Sequence, residues 1–193
     1  MLRTRHGFTL IELLIVVAII AILALIAVPN FLEAQTRAKV VRIRSDFRSL
    51  LTALQAYRTD FNDYPDDNPR PGGGGGTSWY NDIIPLTYLT TPVAYITTVP
   101  TNPFYDLRVS RGPGESQGRG NYAYWGSDRH PEILPIYFHI VSCGPDSVSN
   151  GAGGKTGREV IDRLPSFINE LYDPTNGTVS RGDLMMTDRG MIF

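Results

Sequence analysis

Residues Gly7 to Pro29 read GFTLIELLIVVAIIAILALIAVP, and this segment sets the architecture of the whole chain. Within it, Leu13 to Val28 is an unbroken run of 16 apolar residues. As a helix, Phe8 to Val28 would be about 31 Å long, enough to cross the hydrocarbon core of a bilayer. Arg3 and Arg5 precede the run without any acid, so the positive-inside bias predicts a cytoplasmic N-terminus and an exported C-terminal part.

The rest of the chain has the composition of one loop-rich domain. The 193 residues carry a formal net charge of −1, which argues against a nucleic-acid-binding protein, because such proteins need a basic excess. Cys143 is the single cysteine, so an internal disulfide is excluded.

Three interpretations fit the N-terminal segment: a removable signal peptide, a plain anchor, or a specialised anchor. A signal peptide needs an A-x-A-like cleavage site, and the segment has no such triplet. A plain anchor leaves Glu12 to be explained by its reaching the headgroups, because a carboxylate in hydrocarbon costs about 2–3.5 kcal/mol near a helix centre. Within one helix, Glu12 would lie one turn beyond Phe8 as an i,i+4 pair.

The residues Gly7-Phe8-Thr9-Leu10-Ile11-Glu12, with the apolar run and Pro29 after them, closely resemble the signature of type IV prepilins and pseudopilins. The resemblance implies that a prepilin peptidase cuts after Gly7 on the cytoplasmic side and methylates the new N-terminus at Phe8. It also implies that Glu12 pairs with the N-terminal amine of a neighbouring subunit during assembly. Both charges are costly unpaired in lipid, so such a pair would favour the correct register.

Beyond Pro29 the sequence predicts an amphipathic helix that ends near Asn62-Asp63-Tyr64-Pro65. Pro29 should kink or loosen it by removing a backbone donor. We expect the basic run Arg37–Arg48 to be a solvated face, with contact to anionic headgroups or to acidic patches of neighbouring subunits as alternatives. The apolar positions recur every three or four residues and should pack on the exported domain: Val40, Ile43, Phe47, Leu50, Leu51, Leu54, Tyr57 and Phe61.

The exported part predicts an α+β fold, in which the long N-terminal helix packs against a small antiparallel sheet with long loops. Strand candidates are 122–125 and 136–141, with 178–180 and 183–187 near the C-terminus. Residues 83–96 are apolar but broken by prolines, which favours short helix, turn or edge segments. The predicted division is a basic leader (1–7), a membrane and polymerisation helix (8–29), its amphipathic half (30–64) and a periplasmic domain (65–193).

A calcium site is the candidate for a cofactor. Several segments, such as Ser142-Cys143-Gly144-Pro145-Asp146, resemble the major pseudopilin of type II secretion, and the resemblance implies a loop braced by calcium. The acid pair of that family's loop is missing here, and an EF-hand pattern fails at Val148 and Gly157. Two Asx-rich turns are the alternative. The candidate oxygen ligands are Asp146, Ser147, Ser149 and Asn150 in one loop, with Asp173, Asn176 and Asp183 at a distance.

Two further motifs carry little weight. Gly154-Lys155-Thr156 follows Ser149 one residue short of a phosphate-binding GxxxxGK[ST] loop, but the predicted topology places it away from ATP. His139 and Cys143 could share a strand face as a nucleophile pair, but no motif supplies the third group that would orient them. A half-buried histidine and a buried thiol are the simpler interpretation.

The sequence therefore predicts a structural protein and no enzyme. The resemblance implies a pseudopilin in the inner membrane, with its N-terminus cytoplasmic and its C-terminal domain periplasmic, which polymerises into a fibre that drives protein export. Its implied partners are copies of itself, minor pseudopilins, the prepilin peptidase and the inner-membrane assembly platform, with no nucleic acid. The alternatives are a type IV or DNA-uptake pilin, and an anchored extracytoplasmic binding module or enzyme.

Overall fold

The computed structural model describes residues 8–66, 84–105, 122–126, 137–147, 171–175, 180 and 182–192. One helix, α1, spans Leu10–Phe61 and accounts for 52 residues, a length of about 78 Å. A short helix, α2, spans Ile84–Thr87. Four strands follow: β1 (Ala123–Gly126), β2 (Phe138–Ser142), β3 (Leu184–Thr187) and β4 (Gly190–Ile192).

Both ends of α1 are defined by local chemistry. Thr9 is the N-cap in an extended conformation, and its side chain accepts a hydrogen bond from the amide of Glu12. At the other end, Asn62 adopts the left-handed conformation with φ 57°, which suits a helix C-cap. Pro29 lies inside the helix, which continues past it, so the missing backbone donor does not end α1.

The four strands form one antiparallel sheet in sequence order, β1-β2-β3-β4. The register pairs Tyr124 with Ile140, Ile140 with Met186, and Met186 with Met191 across the sheet. Every residue of β2 and β3 is buried, so both faces of these central strands are covered.

The core lies between the second half of α1 and this sheet. Phe47 of α1 meets Tyr122, directly before β1, edge-to-face with ring centroids 5.2 Å apart. The buried positions of α1 recur at spacings of three and four, as the amphipathic pattern predicts: Val40, Ile43, Phe47, Leu50, Ala53 and Leu54. One hydrophobic cluster joins them to Leu86, Tyr124, Phe138, Ile140, Leu184 and Met186.

The predicted α+β architecture is confirmed, with differences at its edges. Phe61 was expected in the packed stripe but is 52% exposed, because α1 ends there and its ring stacks on Tyr57 instead. The strand predicted over 183–187 is present as β3, whereas Ser180 lies in no strand. The hairpin strand β4 was not predicted, because its three residues are too short to show a pattern. Part of the predicted 178–180 strand lies outside the described residues.

Candidate functional site

The first half of α1 is an apolar surface that the described residues of its own chain leave uncovered. Every residue from Phe8 to Leu32 is exposed, and Val40 is the first buried position of the helix. The helix is long and apolar enough to cross a membrane. An exposed apolar surface of this size needs lipid or other proteins around it.

Glu12 closes a capping box at the start of this surface. Its Oε2 accepts hydrogen bonds from the Thr9 amide at 2.9 Å and from the Thr9 hydroxyl at 2.7 Å. The Glu12 amide in turn donates to Thr9 Oγ1 at 3.3 Å. The Glu12 carboxylate is therefore held at the first turn of α1 by Thr9 of the same chain. Thr9 and Glu12 are both exposed on the surface of the helix.

The structure corrects one detail of the expected Phe8–Glu12 relation. Because Thr9 is an extended N-cap, Phe8 precedes the helix and the two residues are not an i,i+4 pair within it. Phe8 is 72% exposed, so it is accessible to a partner. Gly7 lies outside the described residues, and Pro29 is an exposed residue within α1.

The second half of α1 is tied to the C-terminal domain by polar contacts as well as by its apolar stripe. Tyr122 donates its hydroxyl to Asp46 Oδ2 at 2.7 Å, and burial raises the pKa of that tyrosine well above its usual range. The ammonium of Lys39 lies 5.3 Å from the centre of the Phe104 ring. These contacts fix the domain on α1 from residue 39 onward.

Cys143 directly follows β2 and is half-buried. Asn102 Nδ2 lies 3.1 Å from its sulfur, and the Asn102 side chain also accepts from the amide of Phe104. Burial, followed by the charge of Asp183, raises the pKa of the Cys143 thiol to about 12. A thiol so hard to ionise is the opposite of an activated nucleophile, which argues against the Cys143–His139 pair.

The proposed calcium ligands are only partly described. Asp183 is fully buried, and Asp146 is close enough to Cys143 for its charge to contribute to the same pKa shift. Asp173 Oδ1 accepts from the amide and hydroxyl of Thr175, which makes it an Asx turn. Within the described residues, no three His, Cys, Asp or Glu side chains come together around a point where a metal would fit.

The remaining calcium candidates, Ser149, Asn150 and Asn176, lie outside the described residues, as does the Gly154-Lys155-Thr156 motif. Calcium binding therefore stays a prediction. Asp146 and Asp183 are the two described residues that place carboxylates in the neighbourhood of one loop.

Comparison with known proteins decides the family. The model of the prokaryotic N-terminal methylation motif matches residues 2–28. The type II secretion system core protein G of Pseudomonas aeruginosa is 30% identical over 142 residues, which are 65% of this chain and 96% of that protein. The chain belongs to the pilin-like pseudopilin family. The corresponding protein of Escherichia coli is 32% identical over 111 residues, 58% of this chain and 74% of that protein.

Pilins share the N-terminal part of this pseudopilin-family chain. The type IV major pilin protein PilA of Myxococcus xanthus is 48% identical over 62 residues, which are 32% of this chain and 28% of that pilin. No solved structure matches the chain. Family membership implies self-assembly into filaments and association with a membrane.

Sequence reasoning missed Thr9 as a partner of Glu12. The signal was present, because Thr9-x-x-Glu12 has the spacing of a capping box directly before an apolar run. The resemblance assigns the charge of Glu12 to a neighbouring subunit, whereas the hydrogen-bond partner that the structure shows is Thr9 of the same chain.

Proposed function

We propose that this chain is a structural subunit of a type II secretion system. It is cleaved after Gly7 and methylated at Phe8 by a prepilin peptidase, and it assembles into a periplasmic fibre that drives protein export. The chain performs no chemistry of its own. Minor pseudopilins and an inner-membrane assembly platform are its partners, and the domain after residue 65 lies in the periplasm.

The observation that carries this proposal is the apolar surface of α1 together with the carboxylate at its start. Residues 8–32 are exposed on every side, so lipid must cover them in the membrane and other proteins must cover them in a fibre. Copies of the same helix can replace lipid without loss of apolar burial. Glu12 is the one charged side chain among the described residues 8–32, and it needs a new polar partner when lipid headgroups are left behind.

The extent of the similarity supports secretion over a pilus. The match to core protein G of P. aeruginosa runs through 96% of that protein, whereas the match to the M. xanthus pilin runs through 28% of it. A type IV pilin remains the second candidate, favoured by the higher identity of the N-terminal segment to that pilin. Long surface filaments on intact cells, together with normal protein export in a deletion strain, would support the pilus.

The intact mass of the chain from its native membrane tests the processing step. We expect the loss of residues 1–7 and the gain of one methyl group, only in cells that have the prepilin peptidase. An unprocessed chain in both strains would contradict the proposal and leave residues 8–28 as a plain anchor.

We also propose a structural calcium ion near Asp146 and Asp183, supported by a fully buried carboxylate next to a loop rich in oxygen ligands. A bound ion stabilises the folded state by mass action, so added calcium should raise the Tm of the full-length protein and a chelator should lower it. Magnesium at the same concentration is the control. Equal melting curves in calcium and in chelator would contradict this proposal and leave the fibre proposal untouched.

A further inference from the structure

Two large apolar side chains are uncovered near the far end of α1. Phe61 is 52% exposed and Val93 is 48% exposed. The ring of Phe61 stacks on Tyr57 with centroids 4.4 Å apart, and Tyr57 meets Tyr95 edge-to-face at 5.8 Å. Val93 lies two residues before Tyr95 in the chain. We give the name distal patch to Tyr57, Phe61, Val93 and Tyr95.

Contacts within the chain order the distal patch. The amides of Tyr95 and Ile96 both donate to the carbonyl oxygen of Leu89, at 2.8 Å and 3.1 Å, which closes the loop that carries Val93. Tyr95 also donates its hydroxyl to Asp60 of α1, so the loop is tied to the helix. A surface that is already ordered loses little conformational entropy on binding, and tyrosine is among the residue types enriched in binding hot spots.

The neck of α1, which we define as residues 29–39, is a second uncovered surface. It lies between the apolar run and Val40, the first buried position of the helix, and none of its residues is buried. Phe31 is 61% exposed and Leu32 is 54% exposed. In a membrane these two side chains would lie about 5–6 Å beyond Val28, at the level of the lipid headgroups. They lose that cover when the subunit moves into a fibre.

We propose that the distal patch of one copy of this chain docks on the neck of another copy farther along the fibre. Each chain carries both surfaces, so the contact is heterologous and can continue from copy to copy, as an open helical filament requires. Phe31 and Phe61 are about 45 Å apart along α1, so the two copies are displaced by about this distance. The proposal rests on the proposed fibre and adds the surfaces that set the displacement between copies.

The surroundings of the neck favour a second copy as its partner. Phe31 and Leu32 continue the apolar surface of residues 8–28, which other copies cover in the proposed fibre. The nearest acid and base, Glu33 and Arg37, form an ion pair with each other. An apolar surface such as the distal patch can therefore cover Phe31 and Leu32 without separating these two charges.

Cross-linking in fibres of the full-length chain tests the contact while both apolar surfaces stay intact. Gln35→Cys, one turn beyond Phe31, is combined with Ala94→Cys, next to Val93, in a Cys143→Ser background. Gln35 and Ala94 are both exposed. We expect a bis-maleimide to convert these fibres into a series of covalent multimers, because each copy is joined to the next one. Cells without the prepilin peptidase should yield monomers, since unprocessed chains do not assemble.

The matched control combines Gln35→Cys with Gln55→Cys. Gln55 is exposed and lies less than two turns before Phe61, but on another side of the helix. This pair should therefore give monomers. Equal multimer series from the two pairs would overturn the docking contact, and so would monomers from the Gln35–Ala94 pair in fibres of normal yield.

Substitution of the distal patch tests what the contact contributes to assembly. Phe61→Asp and Val93→Asp should each lower fibre yield about tenfold, because a carboxylate is costly to bury against the apolar neck, whereas Gln55→Asp should keep its yield within about twofold. The Tm of each variant separates lost fibres from a lost fold.

Two outcomes of these substitutions would overturn the docking contact. Normal yields of both distal-patch variants would show that the contact does not hold the fibre together. Lost yields without cross-linked multimers from the Gln35–Ala94 pair would assign the distal patch to another protein. Absence of wild-type fibres would overturn the proposed function instead.

Discussion

Gly182 lies where two backbone segments cross in the C-terminal domain. A Cβ atom at this position would be 1.9 Å from the carbonyl carbon and oxygen of Leu171 and 2.5 Å from the amide nitrogen of Tyr172. The Tyr172 amide donates to the carbonyl oxygen of Asp183 at 2.9 Å, so the two segments cannot separate without losing this bond. The position requires glycine for close approach.

Gly182→Ala should therefore lower the free energy of unfolding by about 3 kcal/mol or more. Ser180→Ala is the matched control in the same crossing. It removes the hydrogen bond that the Asp173 amide donates to Ser180 Oγ at 2.9 Å, at a cost of about 1 kcal/mol, and adds no volume. Denaturant unfolding of the full-length protein in detergent measures both. Equal losses of unfolding free energy in the two variants would contradict this prediction, because they would show that the two backbone segments can move apart at little cost.

The raised pKa of the Cys143 thiol predicts that the stability of the folded protein changes with pH in the alkaline range. Its pKa is raised from 9.0 to about 12 by burial and by Asp183, so the folded state keeps a proton that the unfolded chain releases. This contribution is fully present below pH 9 and is lost as the pH rises toward 12. The Tm of the wild type should fall more steeply over that range than the Tm of Cys143→Ser. Parallel slopes would mean that the thiol is not protected in the folded protein.

At the scale of the element, α1 consists of two halves with different surroundings. Its first half is exposed throughout and depends on lipid or on other copies, whereas its second half supplies one wall of the core. The same residue type should therefore have different effects in the two halves. Leu14 and Leu50 offer this comparison, because Leu14 is 69% exposed and Leu50 is fully buried.

Leu50→Ala should lower the free energy of unfolding of the C-terminal domain by about 2–5 kcal/mol, through lost burial and the cavity it leaves. Leu14→Ala should leave that value unchanged within about 0.5 kcal/mol, because Leu14 is 69% exposed and the described residues of the domain do not cover it. Denaturant unfolding of the full-length proteins in detergent micelles, followed by near-ultraviolet circular dichroism, distinguishes them. A comparable loss for Leu14→Ala would mean that the first half of α1 packs on the domain.

At the scale of the whole molecule, Glu12 separates a fibre subunit from a plain membrane anchor. If the chain is cleaved and assembled as proposed, Glu12→Leu should reduce fibre yield by about tenfold or more, because the Phe8 amine of a neighbour would lose its charged partner in an apolar setting. The domain, about 40 Å away along α1, should keep its Tm. Fibre yield and Tm are measured on the same preparations.

Glu33→Leu, at a half-buried acid farther along the same helix, is the control and should assemble normally. Normal assembly of Glu12→Leu would favour the anchored binding module or enzyme, for which this carboxylate has no role. The Thr9 hydrogen bonds would then account for Glu12 as a helix cap alone.

The sequence alone determined the long helix, its two halves and the α+β class. A continuous apolar run and a spacing of three and four residues are local patterns. They predict the helix correctly because its period, and the number of apolar residues needed to cross a bilayer, can both be read from neighbouring residues. The end of α1 near Asn62 and the central strand β2 followed from similar local signals.

Tertiary structure decided what depends on residues distant in sequence. The Tyr122–Asp46 bond joins residues 76 apart, and the burial that raises the pKa of Cys143 comes from segments on both sides of it. The requirement for glycine at position 182 arises only because Leu171 and Tyr172 cross there. No local sequence pattern shows such contacts, because the packing of the whole core decides which residues distant in sequence come together.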